Sequence, residues 1–293
     1  MVEVRAERAS KPPSWREHLA AIRPDADLAE ADWWDTAWTD GARNPAAVGF
    51  LVPAGFEAYA RVLHPAADEE GRDVRWAEVA EACGTTLHPQ AQWWRLAGHR
   101  DLDPRGEGPE ARRWTGHAPE VGRLPREGLE ALAETLARHT GTPERTFVAF
   151  WVGYGTWPPA WFGSPTTRRP VRESYLFERP LADVVTLCAE APAVAYALGT
   201  PTGTAVARSA DGRSWVPTPD EQFDVLAAHE WQSPSAWWPA DHAWATSNDT
   251  DLDSTLVGGS RALVDDLLAD DRLEVLPWPV DGSLWSDADD VNR

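Results

Sequence analysis

Apolar residues recur three and four positions apart in several stretches of the chain. Trp76, Val79, Ala80 and Cys83 form one set, Leu129, Leu132, Ala133 and Leu136 a second, Leu181, Val184, Val185 and Cys188 a third, and Leu263, Val264, Leu267 and Leu268 a fourth. This spacing gathers side chains on one face of a helix of about 3.6 residues per turn and predicts short amphipathic helices. A fifth set, Phe56, Tyr59, Ala60 and Leu63, follows the turn residues Pro53, Ala54 and Gly55 and reads the same way. Terminal signals agree with these assignments. Pro125 and Gly141 bracket the second set, Pro180 stands at a first helical position before the third, and Ser260 is placed to cap the fourth.

Runs of apolar, β-branched and aromatic residues lie between these stripes: Val48 to Val52, Thr146 to Val152, Glu173 to Phe177, Trp244 to Ser247, Ser254 to Val257 and Leu273 to Leu276. They read as strands. Strands and helices do not alternate in a βαβ rhythm, so the expected fold is α+β, a mainly antiparallel sheet with short helices packed on it. Gly98 to Pro125 and Gly199 to Pro219 read as loops or linkers. Residues 1–13 read as a flexible N-terminal segment and 14–293 as one α+β unit, or as two pseudo-repeated halves, 30–143 and 144–293. The repeat rests on a shared order. Trp33, Trp34 and Trp38 precede Phe50, Leu51, Val52 and a helix through Tyr59 and Leu63, while Trp237, Trp238 and Trp244 precede Thr255, Leu256, Val257 and a helix through Leu263 and Leu267.

Charge narrows the function classes. The chain carries 47 acids against 27 bases, a formal net charge of -20, and from Pro217 to Arg293 there are 17 acids and three bases. That is the wrong sign for affinity gained by neutralising phosphates, so nucleic acid is excluded as the expected partner. Met1 to Pro13 contains no apolar run fit for a secretory signal, and Pro and Gly residues interrupt the longest uncharged run, Thr146 to Thr167. No membrane segment is therefore expected. Both cysteines, Cys83 and Cys188, fall on apolar stripes, which suits buried thiols in a reduced, cytoplasmic setting.

Motifs for known chemistry fail on inspection. Gly153 and Gly155 open like a dinucleotide fingerprint, but the third glycine is missing and Pro158 and Pro159 occupy the helix start. Asp249, Asp251 and Asp253 have the rhythm of a calcium loop, yet Ser254 stands where glycine is required and Ser260 where the bidentate acid belongs. The eight histidines show no zinc spacing, and His64-Pro65 and His88-Pro89 read as helix ends. No nucleophile elbow or phosphate loop is present. The sequence thus predicts no catalytic residue, no metal ligand and no cofactor. One local rule is broken: Asp265, Asp266, Asp270 and Asp271 crowd the C-terminal end of the fourth helix, against its dipole, which marks the region as a candidate for function.

The string Trp237-Trp238-Pro239-Ala240-Asp241-His242-Ala243-Trp244, then Asp251 to Asp253, then Ser254 to Ser260, resembles the C-terminal signature of an uncharacterised group of actinobacterial proteins. The segment GFEAYARVLHP, Gly55 to Pro65, is similar to its N-terminal counterpart. The resemblance implies a bacterial cytosolic protein and no particular chemistry.

Indole rings beside acids suit interface anchors inside a charged rim. The expectation is a non-catalytic protein, of the immunity or regulatory type, that binds a basic protein through its acidic C-terminal half. Its candidate recognition residues are Trp237, Trp238, Asp241, Trp244, Asp251 and Asp253. The alternative is a carbohydrate or polar small-molecule binding protein or hydrolase with paired carboxylates. Its cleft would draw on Trp151, Trp157, Trp161, Trp237, Trp238 and Trp244.

Overall fold

Residues Ala58–Leu63, whose spacing predicts a helix, form an extended strand, β1, next to the edge of a seven-stranded antiparallel sheet. The computed structural model describes residues 22–34, 47–98, 114–154, 157, 161–168, 172–189, 194–197, 206–209, 214–215 and 233–292. The sequence AYARVL misleads because Tyr59 to Leu63 are all buried. A strand covered on both faces is apolar at every position, and the two periods then look alike.

The remaining strands are β2 (Ala66–Ala67), β3 (Asp73–Val74), β4 (Thr146–Trp151), β5 (Ser174–Arg179), β6 (Val194–Ala197), β7 (Val206–Ser209), β8 (Ser214–Trp215), β9 (Ala236–Pro239), β10 (Ala245–Ser247), β11 (Ser254–Gly259) and β12 (Val275–Pro277). The helices are α1 (Trp76–Cys83), α2 (Trp93–Leu96), α3 (Arg126–Ala137), α4 (Leu181–Ala189) and α5 (Arg261–Leu268). The main sheet runs β12-β1-β11-β10-β9-β4-β5. An antiparallel sheet with short helices packed on it is the α+β class that the chain's pattern predicts.

Residues paired directly across strands share a face. Ala60, Val257, Thr246, Trp237, Val148 and Phe177 make one row; Arg61, Leu256, Ser247, Ala236, Ala149 and Leu176 make the row on the other side. Consecutive glycines in β11 show what covers each face. A Cβ on Gly259 would fall 2.6 Å from Leu263 of α5, and one on Gly258 would fall 2.6 Å from Phe56. The first face therefore lies under α5, and α3 joins it there, its Leu136 carbonyl accepting the Trp244 indole N–H at 3.1 Å. Over the second face pack Ala31 and Trp34, the turn at Val48, Leu51 and Val52, and α1. Helices and turns thus cover both faces.

Ser260 caps α5 as its position predicts, its Oγ accepting the Leu263 N–H at 3.1 Å, worth about 1 kcal/mol. The segment Val48 to Val52 is not a strand. Gly49, at φ 81, reverses the chain so that its N–H reaches the Val52 carbonyl at 2.7 Å. The proposed repeat consequently loses its equivalences: the segment matched to β11 is this turn, and the segment matched to α5 is β1. His64 and His88 do not end helices either; the first closes β1 and the second lies in the loop after α1.

Residues 24–153, 164–188 and 232–293 form one compact unit, which holds the seven-stranded sheet. Residues 1–23, 154–163 and 189–231 form a second, with the antiparallel order β6-β7-β8. Within the second unit Trp157 and Trp161 stack at 5.1 Å, and Trp161 donates to the Ile22 carbonyl at 3.0 Å. The N-terminal segment 1–13, Trp38, and most of the Gly98 to Pro125 and Gly199 to Pro219 stretches lie outside the described residues; β7 and β8 fall inside the latter stretch. Among the described residues no helix is long and apolar enough to cross a membrane.

Candidate functional site

The structure separates the six residues that the sequence groups together. Trp237, Trp238 and Trp244 are core side chains, each no more than 1% exposed, because β9 and the start of β10 run through the middle of a sheet covered on both faces. They present no recognition surface. Asp241 sits in the β9–β10 turn and accepts from Thr140 Oγ1 at 2.8 Å and the Gly141 N–H at 2.6 Å. Partial burial opposes its charge, but the bonds from Gly141, Thr140 and Ala243 outweigh burial and hold the carboxyl below its ordinary pKa. Its neighbour His242, at φ 53, turns away to stack on Trp33 at 4.0 Å.

Asp253 belongs to a buried polar network on the second face. Arg61 donates to Asp253 at 3.0 Å, Ser254 Oγ at 2.9 Å, and the carbonyls of Ala91 at 2.8 Å and Pro89 at 3.1 Å. Its guanidinium lies 5.3 Å from the Trp76 ring centroid and 5.7 Å from that of Trp278. Burial pushes the Arg61 pKa down against the pull of Asp253, yet an arginine keeps its charge. Beside it, buried His64 meets the Glu120 carbonyl through Nδ1 at 2.9 Å and Thr255 Oγ1 through Nε2 at 3.1 Å.

Burial lowers the His64 pKa from 6.5 to about 4, so the folded chain holds this ring neutral. Between those values the unfolded chain binds a proton that the folded chain does not. Stability is therefore full above pH 6.5 and falls as pH drops toward 4, by roughly 1.4 kcal/mol per unit at most. Urea midpoints measured from pH 7 to 4 should show this slope, and His64→Gln should flatten it. An unchanged slope in that variant would place the proton elsewhere.

Asp249 and Asp251 close on Arg172, with oxygen distances of 2.8 Å and 2.7 Å, rather than on a cation. Among the described residues no group of three or more His, Cys, Asp or Glu is arranged to hold a metal ion. Arg172 lies 5.0 Å from the Trp151 ring centroid. Trp151, Arg172 and Asp249, with Ser174, Ser235, Ser247, Asn248 and Thr250, line a shallow cleft that encloses only about 10 Å³. That is room for about one water molecule, far below the roughly 300–1,000 Å³ of small-molecule sites. Asn248 Oδ1 is buried there without a hydrogen-bond donor, an arrangement that suits an ordered water. Asp249 and Asp251 are both paired to Arg172, whose guanidinium also lies over the Trp151 ring.

Two of the acids in and after α5 have charged or polar partners. Asp266 meets His139 at 2.9 Å and Arg138 at 3.6 Å, both from the end of α3, and Asp270 meets Arg272 at 2.8 Å. The Arg272 bond holds the Asp270 carboxyl at about 2, despite partial burial. Tertiary contacts thus compensate Asp266, through His139 and Arg138, while Asp270 is held by nearby Arg272 together with Thr135 of α3.

The last described segment, residues 279–292, crosses the loop between α1 and α2 as a strap. Asp289 anchors it. The side chain is fully buried, and its carboxylate accepts from His88 Nε2 at 2.9 Å, the Gln92 N–H at 3.2 Å and Asn292 Nδ2 at 2.9 Å. Burial works against its charge, but the bonds from Asn292, His88 and Gln92 prevail and its pKa is lowered. Asn292 also ties to Thr86, accepting its N–H at 2.8 Å and donating to its carbonyl at 2.9 Å. On its outer side the strap exposes Val280, Trp285 and Val291 beside Asp281, Asp287 and Asp290.

Sequence reasoning missed Arg61, Arg172, Trp285 and Asp289. An arginine inside the apolar run AYARVL is itself a signal, since a buried guanidinium demands partners. Asp289 and Trp285 carry no such signal, because only the path of the strap separates them from neighbouring acids and from the core tryptophans. Comparison of the chain with protein-family models, curated proteins and solved structures gives no match.

Proposed function

We propose that this chain is a non-catalytic binding protein that takes a basic protein partner on its C-terminal strap. The observation that carries the reading is the placement of exposed apolar groups. Of the six exposed large hydrophobic residues among those described, Val280, Trp285 and Val291 fall within twelve consecutive positions. Three exposed acids share that segment. A half-exposed tryptophan is a favourable anchor when a partner desolvates it, and surrounding acids steer a basic surface toward it. The role expected of Trp237, Trp238 and Trp244 passes to Trp285, and an immunity-type inhibitor of a basic toxin is its concrete form.

The test is capture from extract of the source cells by the full chain and by Trp285→Ala, at about 0.02 M and 0.5 M salt, which brackets strong and weak screening. A basic protein held by the wild type at low salt, released at high salt and lost with Trp285→Ala is the expected result. The variant should weaken binding by roughly 30-fold or more, the effect of removing a central anchor. Identical captured proteins for both chains, indifferent to salt, would overturn the proposal.

A further inference from the structure

We infer that the segment His88–Arg95, the end of the α1–α2 loop and the first three residues of α2, is a binding site for a carboxylate carried on an acidic peptide, occupied within this chain by Asp289. The inference is independent of the partner proposed above. Acidic side chains seldom lie fully buried, and Asp289, at 0% exposure, does so because His88 and Gln92 meet it from across the chain while the strap's own Val291 and Asn292 N–H groups bond the same oxygen as His88, at 3.1 and 2.9 Å. His88 supplies a ring nitrogen at 2.9 Å and Gln92 a backbone N–H at 3.2 Å, while Arg95 donates to the Asp289 carbonyl. These groups come from a segment some two hundred positions away, so that segment and the strap are separate halves of one recognition event.

A second observation points the same way. Gln92 Nε2, Arg95 Nε and Trp94 Nε1 are buried donors with no acceptor, and Gln92 as a whole is only 9% exposed. A buried donor left unpaired costs about 1–3 kcal/mol. Three of them within four residues mean that the segment offers more donors than the strap satisfies. Surplus buried donors in a segment that already holds a carboxylate suit an oxygen-rich ligand. The strap fills it as a tethered occupant whose affinity is helped by its high local concentration.

The experiment adds a synthetic peptide of residues 283–293, SLWSDADDVNR, to the full chain carrying Asp289→Ala, and follows the His88 imidazole resonances by NMR. The peptide should shift those resonances saturably. The same peptide with asparagine in place of Asp289 should bind at least roughly tenfold more weakly, the loss of a charge-assisted hydrogen bond. Unmoved resonances, or equal binding by both peptides, would overturn the inference. Should Asp289→Ala fail to fold, the wild-type chain decides. Peptide in several-fold excess over the roughly millimolar effective concentration of the tethered strap should then speed hydrogen exchange at the Val291 and Asn292 amides. Exchange unaffected by the peptide would count equally against it.

Discussion

Arg61→Met should lower the stability of the main unit by about 3–5 kcal/mol, the cost of breaking a buried ion pair from one side. The side chain is fully buried, and its loss leaves Asp253, Ser254 Oγ and the carbonyls of Pro89 and Ala91 without their donor. Arg61→Lys should recover little. One ammonium cannot span a carboxylate, a hydroxyl and two carbonyls arranged around a planar fork, nor lie flat between Trp76 and Trp278. Asp253→Asn keeps the shape and a hydrogen-bond acceptor, so it should cost less than Arg61→Met. Equilibrium urea unfolding of the three variants gives the order directly. If Arg61→Met unfolded at the wild-type midpoint, the network would be ornamental to the fold.

Trp244→Ala carries the second large effect, about 3–5 kcal/mol for emptying a tryptophan-sized volume in a close-packed interior. The ring is fully buried, meets Trp237 edge-on at 5.6 Å, and ties the sheet to the end of α3 through Leu136. A comparison of phenylalanine variants separates packing from hydrogen bonding. Trp244→Phe deprives the Leu136 carbonyl of its donor, whereas Trp238→Phe removes an indole N–H that has no acceptor in the core. The first should be the more costly by about 1 kcal/mol or more. The same series tests where recognition resides. Trp285→Ala should leave the unfolding midpoint nearly unchanged, because surface substitutions seldom exceed about 0.5 kcal/mol. A Trp244→Ala chain that kept wild-type stability and lost only partner binding would return that ring to the surface.

The helices were legible wherever one face meets the core and the other meets water. In α1 the stripe Trp76, Val79, Ala80, Cys83 is buried, as is Leu129, Leu132, Ala133, Leu136 in α3, and both alternate with exposed positions. Ser260 announced the start of α5 because a cap is a local contact between neighbours. β1 was illegible as a strand for the opposite reason, since burial on both faces erases the alternation that distinguishes a strand from a helix. The turn at Gly49 looked like a strand because its apolar residues pack against the sheet without pairing along it.

The candidate site followed the same division. Composition alone established the acidity of the C-terminal half, the abundance of tryptophan and the failure of each catalytic motif, since all of these are properties of residue type and spacing. Which tryptophans face water, and which acids are spent on partners, depended on contacts between segments far apart in the chain. Arg172 claims Asp249 and Asp251, Arg61 claims Asp253, the end of α3 claims Asp266, and His88 claims Asp289. A side chain's type fixes what it can bond to, but the partner that reaches it first is chosen by the path of the backbone. That path is a property of the folded whole, written in no local stretch of the sequence.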